Sequence, residues 1–349
     1  MSKKIYVGMS GGVDSSVTAA LLKEQGYDVV GVYMKNWSKD LPGFACPWKQ
    51  DYQDAKRVAV QLGIDFKMYD FETEYRQKVV NYMVEGYQAG ITPNPDIMCN
   101  QEVKFKLYLE AALDDGADMI ATGHYARIQD GTLLAGLDKN KDQSYFLYRI
   151  TQDALLKSCM PIGELEKPEV RRLAAQYGLA TAEKKDSQGI CFVGNIGIKE
   201  FLLAELGPQP HGMIIDQHNA SIGEHDGALF YTIGQRHGLD VGGGLPYYVT
   251  GKDMARNEVY VTSDLQDDHL WQRVIALTSM HWIGGQPPTN KKLQVRTRYR
   301  APLVDCLIEL TETGSVLTLH DAARAITPGQ SAVLYDGNVV LGGGIVCIG

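Results

Sequence analysis

Met9-Ser10-Gly11-Gly12-Val13-Asp14-Ser15-Ser16 follows the apolar run Ile5-Tyr6-Val7-Gly8 and precedes a helix-like stretch over 17–25. That order predicts a strand, a glycine turn and a helix. Adjacent glycines let main-chain N–H groups come close to an anion, the opening helix points its positive end at the same spot, and Ser10, Ser15 and Ser16 bring hydroxyl donors. The pattern reads as a phosphate grip. It is not the P-loop, which needs a lysine before its Ser/Thr and wider glycine spacing, nor the dinucleotide fingerprint G-x-G-x-x-G. A lone Gly-Gly between strand and helix is most often a tight turn. The six-residue pattern Ser-Gly-Gly-Val-Asp-Ser in this setting favours a nucleotide.

Outward from the turn, Gly26 ends the first helix and Asp28-Val29-Val30-Gly31-Val32-Tyr33-Met34 reads as a buried second strand. Helices are expected over 51–62, 72–87, 105–113, 151–158 and 168–177, and strands over 65–69 and 119–122, the latter leading into Gly123-His124. This alternation implies an α/β fold with a doubly wound, mainly parallel sheet that binds ligands at the carboxyl ends of its strands. From Gly207-Pro208-Gln209-Pro210 onward, segments shorten and period-two stretches such as Asn257-Glu258-Val259-Tyr260-Val261-Thr262 replace the helices. Three domains are expected: 1–206, a β-rich 207–270, and 271–349. The run Gly342-Gly343-Gly344 reads as a strand-linking turn.

The 349 residues, 44% hydrophobic and 22% charged, suit a soluble globular protein. Met-Ser-Lys-Lys leads straight into the first strand, so no targeting segment is expected, nor any membrane span; a cytoplasmic protein follows. A net charge of −8 argues against wholesale attraction to nucleic acid, so any RNA contact needs a local basic patch. The cysteines at 46, 99, 159, 191, 306 and 347 form no C-x-x-C, which argues against zinc. His211, His218 and His225 sit among turn residues and are not read as metal ligands either.

Two cysteines stand apart. In Thr92-Pro93-Asn94-Pro95-Asp96-Ile97-Met98-Cys99-Asn100 the prolines stiffen a loop before an expected helix, where Cys99 is either a thiolate favoured by the helix dipole or a buried thiol after a turn. In Lys184-Lys185-Asp186-Ser187-Gln188-Gly189-Ile190-Cys191-Phe192 the two lysines would lower the pKa of Cys191, or the segment is a solvated loop entering a buried strand. Together with a glycine turn that resembles the PP-loop of the ATP pyrophosphatases, the pair suggests adenylation followed by sulfur transfer.

Ser-Gly-Gly-Val-Asp-Ser resembles the signature of the PP-loop ATP pyrophosphatases, which split ATP between its α- and β-phosphates. The chain as a whole resembles the tRNA 2-thiouridylase family of that superfamily. The resemblance is carried by Gly8 to Ser16, Met34-Lys35-Asn36-Trp37, Thr92 to Asn100, Ala121-Thr122-Gly123-His124-Tyr125, Leu137 to Tyr148, Gly163 to Pro168, Lys185 to Cys191, Gly234-Gln235-Arg236, Thr297 to Arg300 and Thr327 to Ser331, in the family's order. It implies a PP-loop (HUP-like) catalytic domain, a small β-rich domain and a C-terminal tRNA-binding β-barrel. Gly8, Met9, Ser10, Gly11, Gly12, Val13, Asp14, Ser15, Met34 and Gly123 would bind ATP. Asn94, Pro95 and Asp96 would meet the target base, Cys191 would carry a persulfide, and Cys99 would be its partner nucleophile. His124, Lys141, Asp142, Gln143, Arg298, Tyr299 and Gln330 would contact tRNA. One position departs from the family: Asp240 stands where a glycine is expected.

The expected reaction is 2-thiolation of a tRNA wobble uridine. The uracil C2 oxygen has no usable leaving group, and attaching AMP to it supplies one. Mg²⁺ is expected with ATP, with no resident metal; Asp14 would either orient that metal or cap the helix. Asp96 is a general acid/base candidate or a turn residue. A sulfur-relay donor protein or cysteine desulfurase would supply sulfur, and the Cys191 loop is expected to close over the base. Strand alternation in Gln294-Val295-Arg296-Thr297-Arg298-Tyr299-Arg300 would put three arginines on one face for phosphates. Trp37, Tyr125 and Tyr145 are candidate stacking partners for a flipped base, although such aromatics are more often core. The rivals are a PP-loop amide or argininosuccinate-type synthetase, which needs no cysteine pair, and an RNA-binding module that senses ATP.

Overall fold

The computed structural model describes residues 2–185, 197–239, 241–242, 246–288, 292–312 and 314–347. The first strands are β1 (Lys4–Gly8), β2 (Asp28–Lys35), β3 (Asp65–Asp70), β4 (Met119–Ala121), β5 (Ala126–Gln129), β6 (Thr132–Ala135) and β7 (Ser158–Cys159). Five of them form a parallel sheet in the order β3-β2-β1-β4-β7, with Gly8 beside Val32 and Val7 beside Ala121. Strand order reverses around β1, which places the turn after Gly8 at the switch point where such sheets bind ligands.

Both faces of this sheet are covered at its centre, so β1 and β2 are largely apolar and buried, while the edge strand β3 is polar and open. Ile5, Val7, Val29 and Tyr33 pack with helix α1 (Val13–Glu24), helix α2 (Trp48–Leu62) and the helix Lys167–Gln176. Tyr6, Val30, Val32 and Ile120 face the other way, onto Tyr108, Leu109 and Ala112. Val17 and Leu22 of α1 are buried, each stabilising the layer by about 1.5–3 kcal/mol. The sequence expectation ran the 151 helix through Ser158. Instead Thr151 caps Gln152–Leu156, accepting from the Ala154 N–H, and Ser158 has already entered β7.

The central strands β8 (Gly212–Ile215), β9 (Ser221–His225), β10 (Tyr248–Asp253) and β11 (Glu258–Thr262) form a four-stranded sheet in the order β10-β11-β8-β9. The last six are β12 (Trp271–Trp282), β13 (Leu293–Arg296), β14 (Val304–Thr311), β15 (Gly314–Arg324), β16 (Ser331–Asp336) and β17 (Val339–Val346). They run β12-β15-β14-β13-β16-β17, and β17 pairs back onto β12, closing an antiparallel barrel. The glycine run expected as a turn lies inside β17: Gly342 and Gly343 pair with Trp282 and His281, and Gly343 and Gly344 with Val333 and Ala332. The β5–β6 hairpin of the first domain extends this sheet through Leu134 and Val339.

The domains share apolar cores. Val333, Tyr335 and Val340 of the barrel pack with Tyr145 and Tyr148, while Ile214, Val249 and Val259 of the central sheet join Cys99, Val103 and Phe201. Among the described residues no helix is long and apolar enough to cross a membrane.

Candidate active site

The carboxyl ends of β1, β2 and β4 meet at the glycine turn. The Met9 N–H bonds to Val32 O at 2.7 Å, and a Cβ on Gly8 would touch the Met34 methyl at 3.0 Å. Gly11 has φ +75°, and a Cβ there would lie 2.3 Å from Asp51 O, so the turn is pressed against α2 and only glycine fits. Gly12 is the N-cap of α1 with φ −94° and ψ 169°, and its cap position carries no side-chain hydrogen bond. No side chain caps the start of α1, a geometry that suits an anion. Ser15 Oγ and Ser16 Oγ both donate to Gly12 O, at 3.2 and 2.7 Å, bracing the turn, while exposed Ser10 shares Ser15 Oγ at 3.3 Å. Gly123 packs against the same helix start: a Cβ there would be 2.8 Å from Ser15 N. Among the expected nucleotide residues, the loop, Met34 and Gly123 are thus brought together.

Sequence reasoning gave no role to Lys167. Its Nζ lies 2.7 Å from Asp14 Oδ1, which also accepts from Tyr125 Oη at 2.8 Å. The Lys167 main-chain N–H donates to Asp138 Oδ2 at 2.9 Å, so the start of that helix is fixed and its cation aimed at the loop. Asp14 therefore does not cap α1; Gly12 occupies that position. The available signal was Lys167-Pro168, a basic residue at a proline-marked helix start. Lys184 was read as an activator of Cys191, yet its Nζ bridges Asp51 and Asp54 of α2 at 2.7 and 2.8 Å. Burial alone would lower its pKa, but the Asp51 and Asp54 hydrogen bonds win and raise it. Burial likewise pushes Asp54 up, and its bonds to Lys184 and Gln50 more than reverse this. Arg171 clamps the same stretch through Ala182 O and Lys184 O.

The Thr92 to Asn100 segment is helical earlier than its sequence suggested. Asn94 is an N-cap accepting from the Ile97 N–H, Pro95 begins the helix Pro95–Met98, and a π-helical stretch Cys99–Leu107 continues it. Cys99 therefore lies beyond the first turn, where the dipole has faded, and is 1% exposed among Trp37, Val103 and Phe201. A reagent reaches it only when a neighbouring segment moves. Asp96 is half-buried in the first turn of Pro95–Met98. Cys191 and Asp240 lie outside the described residues.

The candidate RNA residues are largely engaged within the protein. His124 is buried against Phe105, with Nδ1 2.8 Å from Thr122 Oγ1 and Nε2 3.4 Å from Lys104 Nζ; burial, helped by the Lys104 charge, holds its pKa well below the usual value. Asp142 accepts from the Gly136 and Ser144 N–H groups and from Arg296, each at 3.0 Å. Gln143 exchanges main-chain and side-chain bonds with Tyr125, both 2.9 Å. Lys141 donates its N–H to Asp138 in the same turn. Tyr299 packs on Phe146, ring centroids 4.6 Å apart. Gln330 donates to Thr92 O at 2.9 Å.

The single arginine face expected from strand alternation does not form, because β13 ends at Arg296 and Arg300 adopts a left-handed φ of +63°. Arg296 turns to Asp142, Arg298 to Ile233 O at 2.6 Å and Thr327 Oγ1 at 2.5 Å, and Arg300 to Asn140 O at 3.2 Å. Burial lowers the Arg298 pKa. Trp37, Tyr125 and Tyr145 are all core residues, 6%, 3% and 0% exposed. Among the described residues no three His, Cys, Asp or Glu side chains converge on a metal position.

Family models match the chain in three blocks: a tRNA methyl transferase HUP domain over 3–195, a tRNA methyl transferase PRC-barrel domain over 199–263, and an aminomethyltransferase beta-barrel domain over 272–346. The tRNA-specific 2-thiouridylase MnmA of Geobacillus thermodenitrificans is 47% identical over 350 residues, 98% of this chain and 94% of that protein. The protein of the same name from Neisseria meningitidis is 48% identical over 348 residues, covering 98% and 95%. A solved 4-thiouridine synthetase in complex with RNA and bound ATP aligns over 54% of this chain and 45% of its own, with 18% identity and a TM-score of 0.38. At that identity over almost the entire length of both chains, the protein belongs to the tRNA-specific 2-thiouridylase family.

Proposed function

We propose that this chain is a cytoplasmic tRNA-uridine 2-sulfurtransferase that uses ATP to replace the C2 oxygen of a wobble uridine by sulfur. The observation that carries the reading is the uncapped start of α1, walled by Gly11 and Gly123 and faced by Asp14 and Lys167, in a chain nearly half identical to 2-thiouridylases over its length. Gly8 to Ser15 would line the phosphates of ATP, with the main-chain N–H groups at the helix start, Gly12 to Ser15, as donors and with Met34 and Gly123 beside the nucleotide. Asp14 is a single carboxylate whose Oδ1 already serves Tyr125 and Lys167, which suits Mg²⁺ brought by the phosphates rather than a protein cage. Bound there, the ion neutralises phosphate charge.

The uracil C2 oxygen attacks the α-phosphorus and pyrophosphate leaves. Asn94, Pro95 and Asp96 would hold the base, which must leave its stack to enter, and Asp96 would relay its proton. The terminal sulfur of a Cys191 persulfide then bonds to C2 and AMP departs. The Cys99 thiolate attacks Cys191 Sγ, freeing the thiocarbonyl and leaving a Cys99–Cys191 disulfide. Alternatively Cys99 first releases sulfide, which attacks C2; the disulfide is the same product, and two electrons from a thiol donor restore it. A sulfur-relay protein or cysteine desulfurase would reload the persulfide.

Incubation of the protein with tRNA, ATP, Mg²⁺ and sulfide should yield 2-thiouridine and pyrophosphate in equal amounts, read by nucleoside mass analysis. Absence of 2-thiouridine, or gain of a methyl group from a methyl donor as the domain descriptions would suggest, overturns the reading. With sulfur supplied by a persulfide donor protein in place of free sulfide, full multiple-turnover formation of 2-thiouridine by Cys191→Ser removes the persulfide step from the reading.

A further inference from the structure

We propose that Gln330, in the barrel turn Thr327-Pro328-Gly329-Gln330, is a positioning residue that sets the base- and thiol-bearing segment from outside the catalytic domain. Thr92, 7% exposed, is held from three directions two residues before the Asn94 cap. Its N–H donates to Pro328 O at 2.8 Å, its carbonyl accepts from Gln330 Nε2 at 2.9 Å, and its hydroxyl meets Thr232 Oγ1 of the central domain at 3.1 Å. A Cβ on Gly329 would come within 2.8 Å of Thr92 N, so the two backbones are in direct contact.

The next residue is wedged as well: Pro93 fills the space where a Gly86 side chain would begin, 2.7 Å from that Cβ position. The barrel turn is fixed in its own right, because Arg298 ties Thr327 Oγ1 to Ile233 O across the two accessory domains. Thr92 and Pro93 therefore have little room to shift, and Asn94, Asp96 and Cys99 follow on one continuous helical run. The family resemblance gives Gln330 to RNA, yet its amide spans 238 residues of sequence to grip this loop. A buried carbonyl that loses such a donor pulls its segment out of place or goes unsatisfied. The role of the segment rests on the sulfur-transfer reading, but its position can be measured without RNA or nucleotide.

The test compares wild type with Gln330→Ala, Thr92→Val and Thr92→Ser. Iodoacetamide labelling of Cys99, identified on its peptide, is followed in the protein free of RNA and ATP. Labelling should be about tenfold faster in Gln330→Ala and faster also in Thr92→Val, the fold-change expected for losing one buried hydrogen bond. Thr92→Ser, which keeps all three bonds, should label at the wild-type rate. The kcat for tRNA thiolation should fall about tenfold in Gln330→Ala while tRNA affinity and its salt slope stay unchanged. Unchanged Cys99 labelling in Gln330→Ala overturns the proposal even if Thr92→Val, which loses only the Thr232 contact, labels faster; weaker tRNA binding with that unchanged labelling assigns Gln330 to RNA alone. Faster labelling in a protein that makes no 2-thiouridine leaves the positioning role standing and removes the sulfur-transfer reading.

Discussion

Gly11-Gly12 and Gly342-Gly343-Gly344 look alike as sequence, and the fold uses them in opposite ways. At the first run, Gly11 takes a left-handed φ of +75° and leans on Asp51 O, leaving Gly12 to cap α1 with no side chain over the helix start. Glycine there keeps the helix start clear of side chains, as the proposed nucleotide site requires. At the second run the space is already filled by protein: Cβ atoms on Gly342, Gly343 and Gly344 would lie 2.1 Å from His281 O, 2.3 Å from Ala332 O and 2.4 Å from Met280 Sδ. Here β17 is squeezed between β12 and β16, and the missing side chains let the barrel shut. What separates the two is the pairing of neighbouring strands, which local composition does not contain.

The sharpest way to break this contrast is Gly343→Ala. The added methyl meets the backbone of β16, 2.3 Å from Ala332 O and 3.1 Å from Val333 Cα, where no rotamer change can relieve it, so the β16–β17 pairing beside the closing seam must shift. Destabilisation of more than about 3 kcal/mol is expected, measured by urea unfolding. A cost under about 1 kcal/mol would mean that the closure tolerates side chains and that the two glycine runs do not differ as described.

The strand, glycine turn and helix at the start of the chain were legible because their signal is local. A strand, a glycine turn and a helix follow one another within about twenty residues, and alternation with further strands fixes the parallel sheet around them. Cys99 was legible only as a choice between a dipole-favoured thiolate and a buried thiol, because the helix beginning at Pro95 and the core supplied by Phe201 and Val249, which decide for burial, depend on a distant domain. The arginines of β13 were misread because alternation holds only while a strand lasts, and this one stops at Arg296. Lys167 and Gln330 gain their meaning only from partners, Asp14 and Thr92, that lie far away in the chain.

A smaller effect in stability but a large one in chemistry is expected at the first run. Lys167→Met removes the cation beside Asp14 while keeping the length of the side chain. The pair is partly open to solvent, with side chains 12% and 30% exposed, so unfolding free energy should change by about 1 kcal/mol or less. Charge that faces the departing pyrophosphate is worth far more: tRNA-dependent pyrophosphate release should fall about 100-fold. Release within threefold of wild type would make Lys167 a brace for Asp14 and nothing further.

The finest distinction between the two runs is their response to acid. The barrel seam is held by backbone pairing, whereas the loop at Gly11 leans on α2, whose Asp51 and Asp54 grip Lys184. Asp54 is held below its ordinary value of 3.8, since its hydrogen bonds outweigh the burial that opposes them. A carboxyl depressed by folding contributes its full stabilisation above its unfolded pKa and loses it as pH falls through the folded value. Acidification below about pH 4 should therefore lower the amide protection of α2 and the glycine turn, measured against the intrinsic exchange rate at each pH, by roughly 1 kcal/mol of local opening free energy, before β17 responds. Asp54→Asn should flatten that acid limb in α2 and leave the barrel strands unchanged. Equal loss of protection at both places in the wild type would show that α2 does not prop the turn through this pair, and that the two glycine runs open together.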